Sequence, residues 1–133
     1  MALRLTLKPD ERVIINGCVL KNGPKRHVIE IENRADILRG EDMLSAETAI
    51  TPVRRLAYHI QIALVSVSHR PQYEGSIAEG LAQLTKALPR FAAAIAEAET
   101  HVQAADYYGA YRALKPLIAH EDMIFAQLRQ ESA

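Results

Sequence analysis

Residues 3–20 read LRLTLKPDERVIINGCVL, and the period of this stretch decides the first half of the fold. Leu3, Leu5 and Leu7 alternate with Arg4, Thr6 and Lys8, the two-residue period of a strand with one buried face. Lys8-Pro9-Asp10-Glu11 interrupts it, because proline cannot donate to a ladder and aspartate tolerates turn geometry. Arg12 to Ile15 is apolar and β-branched, Asn16-Gly17 follows, and Cys18-Val19-Leu20 resumes the apolar run. Asn-Gly between two such runs predicts a hairpin, since both central residues of a type I′ turn need positive φ.

Further along, Asn22-Gly23-Pro24 predicts another turn and His27 to Glu32 another strand, with Ile29 and Ile31 on one face and Glu30 and Glu32 on the other. Asp36 to Arg39 reads as a short last strand closed by Gly40. A small sheet of this kind is marginal alone and must pack on helices or on a second copy of itself.

From about residue 43 the period becomes helical. Thr51-Pro52 predicts a helix start, threonine capping free amides and proline losing nothing at the first position. Val53, Leu56, Ile60, Leu64 and Val67 mark one face, and Ile62 and Val65 widen it. Arg70-Pro71 predicts its end, and Ser76 with Glu79 has the capping-box spacing of the next start. A seam then runs Ile77, Leu81, Leu84, Leu88, Phe91, Ile95, Ala98, Val102 and Ala105, with Pro89 predicting a kink or break inside it. Asp106 can cap a last helix through Tyr111, Leu114, Ile118, Phe125 and Leu128, with Pro116 as a second kink. The predicted fold is α+β: an N-terminal antiparallel β module of four or five strands over residues 1–42, then a bundle of three or four helices over 43–133, with a break near 70–75.

Hydrophobic residues make up 49% of the 133 and charged residues 24%, an ordinary globular mixture. Net charge is zero, but residues 1–70 hold 11 Lys/Arg against 8 Asp/Glu, and residues 71–133 hold 5 against 8. The front is mildly basic, which permits an anionic partner there. The single cysteine, Cys18, lies in an apolar run and reads as a small buried hydrophobe. The N-terminus has no apolar signal segment, and Leu56 to Val67 is too short and polar to span a bilayer, so the expectation is a cytoplasmic protein that does not enter a membrane.

Catalytic and metal motifs are missing. His27, His59, His69, His101 and His120 lack metal-site spacing, and no phosphate loop, nucleophile elbow or dinucleotide fingerprint occurs. Glu97 and His101 read as a solvated pair one helical turn apart, and His120-Glu121-Asp122 as a polar helix face. The expectation is a non-enzyme without cofactor or metal. The polar sheet face is the stronger candidate. Arg4, Lys8, Arg12, Arg34 and Arg39 are the candidate RNA contacts, a small basic sheet being able to bind RNA through charge and backbone groups. Against it, the β module has no Tyr, Phe or Trp for base stacking, and Glu30 and Glu32 could pair across strands with Arg4 and Lys8. The candidate protein-binding residues are Arg54 and Arg55, which oppose the helix dipole, and Tyr107, Tyr108 and Tyr111, which crowd one turn. Upstream, Glu47 could offset the two arginines.

Leu3 to Gly17, then Glu32-Asn-Arg-Ala-Asp-Ile-Leu-Arg39, then Thr51-Pro-Val-Arg-Arg55, together with Tyr107 to Ile118, resemble the FlbT family of flagellar biosynthesis regulators. The resemblance implies post-transcriptional control of flagellin through the leader of its mRNA, affecting translation and stability, with FlaF or flagellin as protein partners. An adaptor for FlaF or flagellin that never touches RNA is the alternative it leaves open. It implies no catalytic residue and no cofactor. Leu3 to Asn16 and Ile37 to Asp42 are also similar to the first and last strands of the carbon storage regulator CsrA, a strand-exchanged dimer that binds RNA leaders through edge-strand arginines. That likeness implies a homodimer through the β module and gives Arg39 a counterpart, while Leu7 stands where a basic residue belongs and Lys8 follows it.

Overall fold

The structure is a computed structural model that describes residues 2–132. It divides into two compact units, Met1–Met43 and Leu44–Ala133, giving the α+β order that the change of period predicts.

The first unit holds β1 (Leu3–Leu7), β2 (Arg12–Ile15), β3 (Cys18–Lys21), β4 (His27–Ile31) and β5 (Ile37–Arg39). They form two antiparallel sheets. β1 pairs with β4 from Leu3 opposite Ile31 to Leu7 opposite His27, and β2 lies between β3 and β5. Leu5, Leu7, Val13, Ile14 and Leu38 are buried. Asn16 (φ 50°) and Gly17 (φ 79°) take the positive φ of the hairpin turn. Asn16 also holds β5: its N–H donates to the Asp36 carbonyl at 2.8 Å, and its Oδ1 accepts from the Asp36 N–H at 2.8 Å. Asn22 organises the next turn, its amide donating to the carbonyls of Lys8 (2.8 Å) and Lys25 (2.9 Å). Cys18 is exposed, contrary to the buried thiol predicted. β3 is an outer strand and all four of its side chains are exposed, so an apolar sequence run there does not become core.

The second unit holds α1 (Pro52–Val65), α2 (Arg70–Ala87), α3 (Ala92–Gln103), α4 (Tyr107–Ala113) and α5 (Lys115–Ser132). α1 packs on α2 and α4, and α3 on α4. The Thr51 hydroxyl caps α1 by accepting from the Arg54 N–H at 3.0 Å. Gln61 is buried and satisfied, exchanging two hydrogen bonds (2.8 and 2.9 Å) with the backbone of Leu44. Gly80 faces Leu56 so closely that a Cβ would stand 3.0 Å from its Cδ1.

Helix boundaries differ from the prediction in two places. α1 ends at Val65, and a 3-10 turn over Val67–His69 precedes Arg70, so the break falls before Pro71. Pro71 stands inside the first turn of α2 rather than after the end of α1, where its missing N–H costs nothing. Ser76 and Glu79 consequently lie within α2 and start nothing. Pro89 breaks the seam, with a 3-10 turn over Pro89–Phe91 between α2 and α3. Pro116 opens α5, with Leu114 alone between it and α4.

Candidate functional site

The basic side chains of the β unit fall into three situations. Arg4 is exposed and stands directly across from Glu30, as cross-strand pairing predicts. Lys8 and Arg34 are exposed on connections outside the ladders. Arg12 is exposed at the end of β2 and stands opposite Lys21 of β3. Like charges directly opposite on antiparallel strands repel, and among the described residues neither has an ion pair with a carboxylate. Lys21, one of the basic residues near this face in the sequence, is not among the five candidate RNA contacts read there. The two-residue turn at Asn16-Gly17 carried the signal, since it fixes the register in which Ile15 meets Cys18 and Arg12 meets Lys21.

Arg39 is different. Its guanidinium donates to both carboxylate oxygens of Glu11 at 3.0–3.1 Å and to the Thr6 carbonyl at 2.7 Å. The Glu11 side chain is only 13% exposed. The backbone N–H of Lys8, the Arg39 guanidinium and the Gly40 backbone hold the Glu11 carboxyl below its ordinary pKa, against the opposing effect of burial. Gly40 leaves room for this junction, since a Cβ there would meet the Arg12 carbonyl at 2.9 Å. A phosphate reaching Arg39 would meet a guanidinium whose charge Glu11 already balances.

In the helical unit the candidate partner residues separate in the same way. Tyr107 and Tyr111 are 6% and 1% exposed and belong to the core, so these two do not offer surface to a partner. Burying a tyrosine ring within its own unit removes a large apolar area from water, and Arg70 covers the Tyr107 ring at 4.7 Å. Tyr108 is half-buried beneath Arg112. Arg54 is clamped by Glu121 and Asp122, and Glu121 also accepts from the Thr51 hydroxyl at 2.9 Å. The offset for Arg54 therefore comes from α5 and not from Glu47. Arg55 is exposed at a cleft of about 200 Å³ lined by His59, Ser76, Glu79 and Gln83. Burial, and then the Arg55 charge, push the His59 pKa down.

The Glu97–His101 pair gains a member the sequence did not announce. Asp106 lies 3.0 Å from His101 Nδ1, nearer than Glu97 at 3.7 Å from Nε2, and its other oxygen caps α4 by accepting from the Gly109 N–H at 2.9 Å. Among the described residues no group of three His, Cys, Asp or Glu side chains could hold a metal ion. No helix among them is long and apolar enough to cross a membrane.

Comparison with known proteins adds the rest. The family model described as flagellar protein FlbT matches residues 3–125. A probable flagellum biosynthesis repressor protein FlbT from Rhodopseudomonas palustris (strain TIE-1) is 35% identical over 127 residues, covering 96% of this chain and all of the relative. A relative of the same name from Caulobacter sp. (strain K31) is 29% identical, over 92% of this chain and 95% of its own length. The flagellum biosynthesis repressor protein FlbT of Caulobacter vibrioides (strain ATCC 19089) is 28% identical, over 92% and 88%. No solved structure matches the chain significantly.

Proposed function

The chain belongs to the FlbT family of flagellar proteins, and from that premise we propose that it regulates flagellar synthesis by binding the leader of flagellin mRNA through its β unit. The observation that carries the RNA reading is the Arg12–Lys21 pair. Two cations held face to face across strands destabilise a sheet unless an anion sits between them, and an RNA phosphate is such an anion. Lys8 and Arg4 are further exposed cations of the same unit, Arg4 standing across from Glu30. The site reads chiefly backbone charge, since the unit has no Tyr, Phe or Trp and the exposed His27 of β4 is its one ring on which a base could stack. Regulation of this kind needs no catalytic centre and takes place in the cytoplasm, where messages are translated. The relatives are named as repressors, and repression is the sign proposed here.

The test is titration of a labelled flagellin leader RNA with the wild type and with Arg12→Ala/Lys21→Ala, each at several salt concentrations. For single-stranded RNA each lost phosphate contact lowers the slope of log K against log salt by about 0.7, so the double variant should lose roughly 1.4. An unchanged slope, or wild-type binding no tighter than to an unrelated RNA, overturns the reading. Arg39 is unsuitable for this test because its removal also loosens the unit.

A further inference from the structure

The first half of α5 is anchored in its unit. Leu117 is fully buried, and Glu121 is joined to Arg54 and Thr51. Beyond that point the helix runs outward: from Asp122 to Glu131 every side chain is exposed except half-buried Ala126. This stretch is not polar. Met123 is 62% exposed, Ile124 39%, Phe125 38% and Leu128 52%. A helical segment of about ten residues without tertiary support is marginal in water, and an apolar face of this size is costly to leave wet.

The face has an unequal pair of ends. His120, Ile124, Gln127 and Glu131 follow at steps of four, three and four, so they share one stripe. At its start, Arg90 and Phe91 approach and form with α5 a groove of about 490 Å³ lined by Ala119, His120, Met123 and Ile124. Arg90 lies over the Phe91 ring at 5.2 Å. Among the described residues neither Arg90 nor Glu131 has an ion pair. The stripe is thus basic at one end and acidic at the other, with Ile124 between them and Met123 and Leu128 flanking it, and the charge pattern complements itself when reversed.

We propose that α5 is a self-association helix, pairing antiparallel with α5 of a second copy so that Glu131 of each chain meets Arg90 of the other. Centred between Phe125 and Ala126, the pairing sets Glu131 opposite His120, beside Arg90, and Ile124 opposite Gln127. The contact spans about 16 Å of helix, shorter than a standard interface, so the association is weak and concentration-dependent.

Sedimentation equilibrium of the full chain from about 1 to 200 µM tests this, with circular dichroism confirming that each variant folds. The wild type should pass from monomer to dimer across that range. Ile124→Glu should remain monomeric. Arg90→Glu and Glu131→Arg should each weaken the dimer by about tenfold or more, since each brings two like charges together twice. The double variant Arg90→Glu/Glu131→Arg should recover to within about threefold of the wild type. A monomeric wild type overturns the proposal. So does a dimer that survives Ile124→Glu, which would place the contact on another surface such as a sheet edge. Failure of the double variant to recover overturns the antiparallel pairing with a second copy. None of these readings depends on RNA binding.

Discussion

Replacing Arg39 with alanine removes one side chain that joins three segments. Its guanidinium reaches Glu11 in the turn after β1 through contacts of 3.0–3.1 Å, and the Thr6 carbonyl of β1 at 2.7 Å, while its backbone lies opposite Val13 of β2. Bonds to charged groups contribute about 1.5–3 kcal/mol when their partners are dry, and an exposed pair about 0–1 kcal/mol. Arg39 is 30% exposed and Glu11 13%, between those limits. After truncation Glu11 keeps the Lys8 N–H at 2.9 Å, so the loss should be about 2 kcal/mol. That is a roughly 30-fold loss of amide protection, at about 1.4 kcal/mol per tenfold. Native-state hydrogen exchange at Val13 and Ile14 in central β2 is the suitable assay, because it reports opening of the β unit without contribution from the helices. Acid provides a second reading. Glu11 is held below its ordinary pKa of 4.5 in the folded chain, so the unfolded chain binds the proton more readily. The stabilisation is therefore present above the ordinary glutamate range and lost as pH falls through the lowered value. Arg39→Ala should lessen that acid dependence without abolishing it, because the Lys8 N–H is the larger cause and stays in place. A change in exchange below about threefold would refute the reasoning and return Arg39 to the set of free RNA contacts.

Three further outcomes follow from single positions. Gly109→Ala should destabilise the helical unit by about 1–3 kcal/mol in denaturant melts, because a Cβ there would stand 2.5 Å from Asp106 Oδ2 and 2.7 Å from His101 Nδ1; an unchanged midpoint would mean the His101–Asp106 contact is not rigid. Cys18 should react with a thiol reagent in the folded protein at nearly the rate of the unfolded chain, since it is exposed; reaction only after denaturant is added would contradict its place on the outer strand. Arg55→Ala should raise the His59 pKa in an NMR titration yet leave it below the ordinary histidine range, because burial is the larger of its two causes; a titration that does not move would remove Arg55 from the cleft.

Local chemistry was legible where one residue decides the backbone. Asn16-Gly17 announced its hairpin, Thr51-Pro52 its helix, Pro89 its break and Asp106 its cap, because each acts through its own φ or side-chain oxygen. Features set by distant segments were not legible. Ser76 and Glu79 have capping-box spacing, but a spacing cannot reveal that Arg70 and Pro71 have already begun the helix. The apolar run at Cys18 gave no sign that β3 would be outermost. Among the candidate site residues, the partners of Arg39 on β5 and Arg54 on α1 came from distant segments: Glu11 lies 28 positions from Arg39, and Glu121 lies 67 from Arg54. The tyrosines show the same limit, since three in one turn leave open which two face inward.

The strand order of the β unit has a consequence in time. β1 does not pair with its neighbour β2 but waits for β4, whose Ile31 meets Leu3, and β5 returns to β2 after β3 has taken the other edge. The Asn16-Gly17 hairpin is the one local pairing, and such hairpins close in about 1–10 microseconds. Every other pairing joins residues twenty or more positions apart, and long loops slow folding. During synthesis β1 is therefore an orphan strand until Ile31 has left the ribosome, and the Arg39–Glu11 junction can lock only after β5 has emerged. The nascent chain should thus gain its β unit in one late step, with the hairpin as the template already standing.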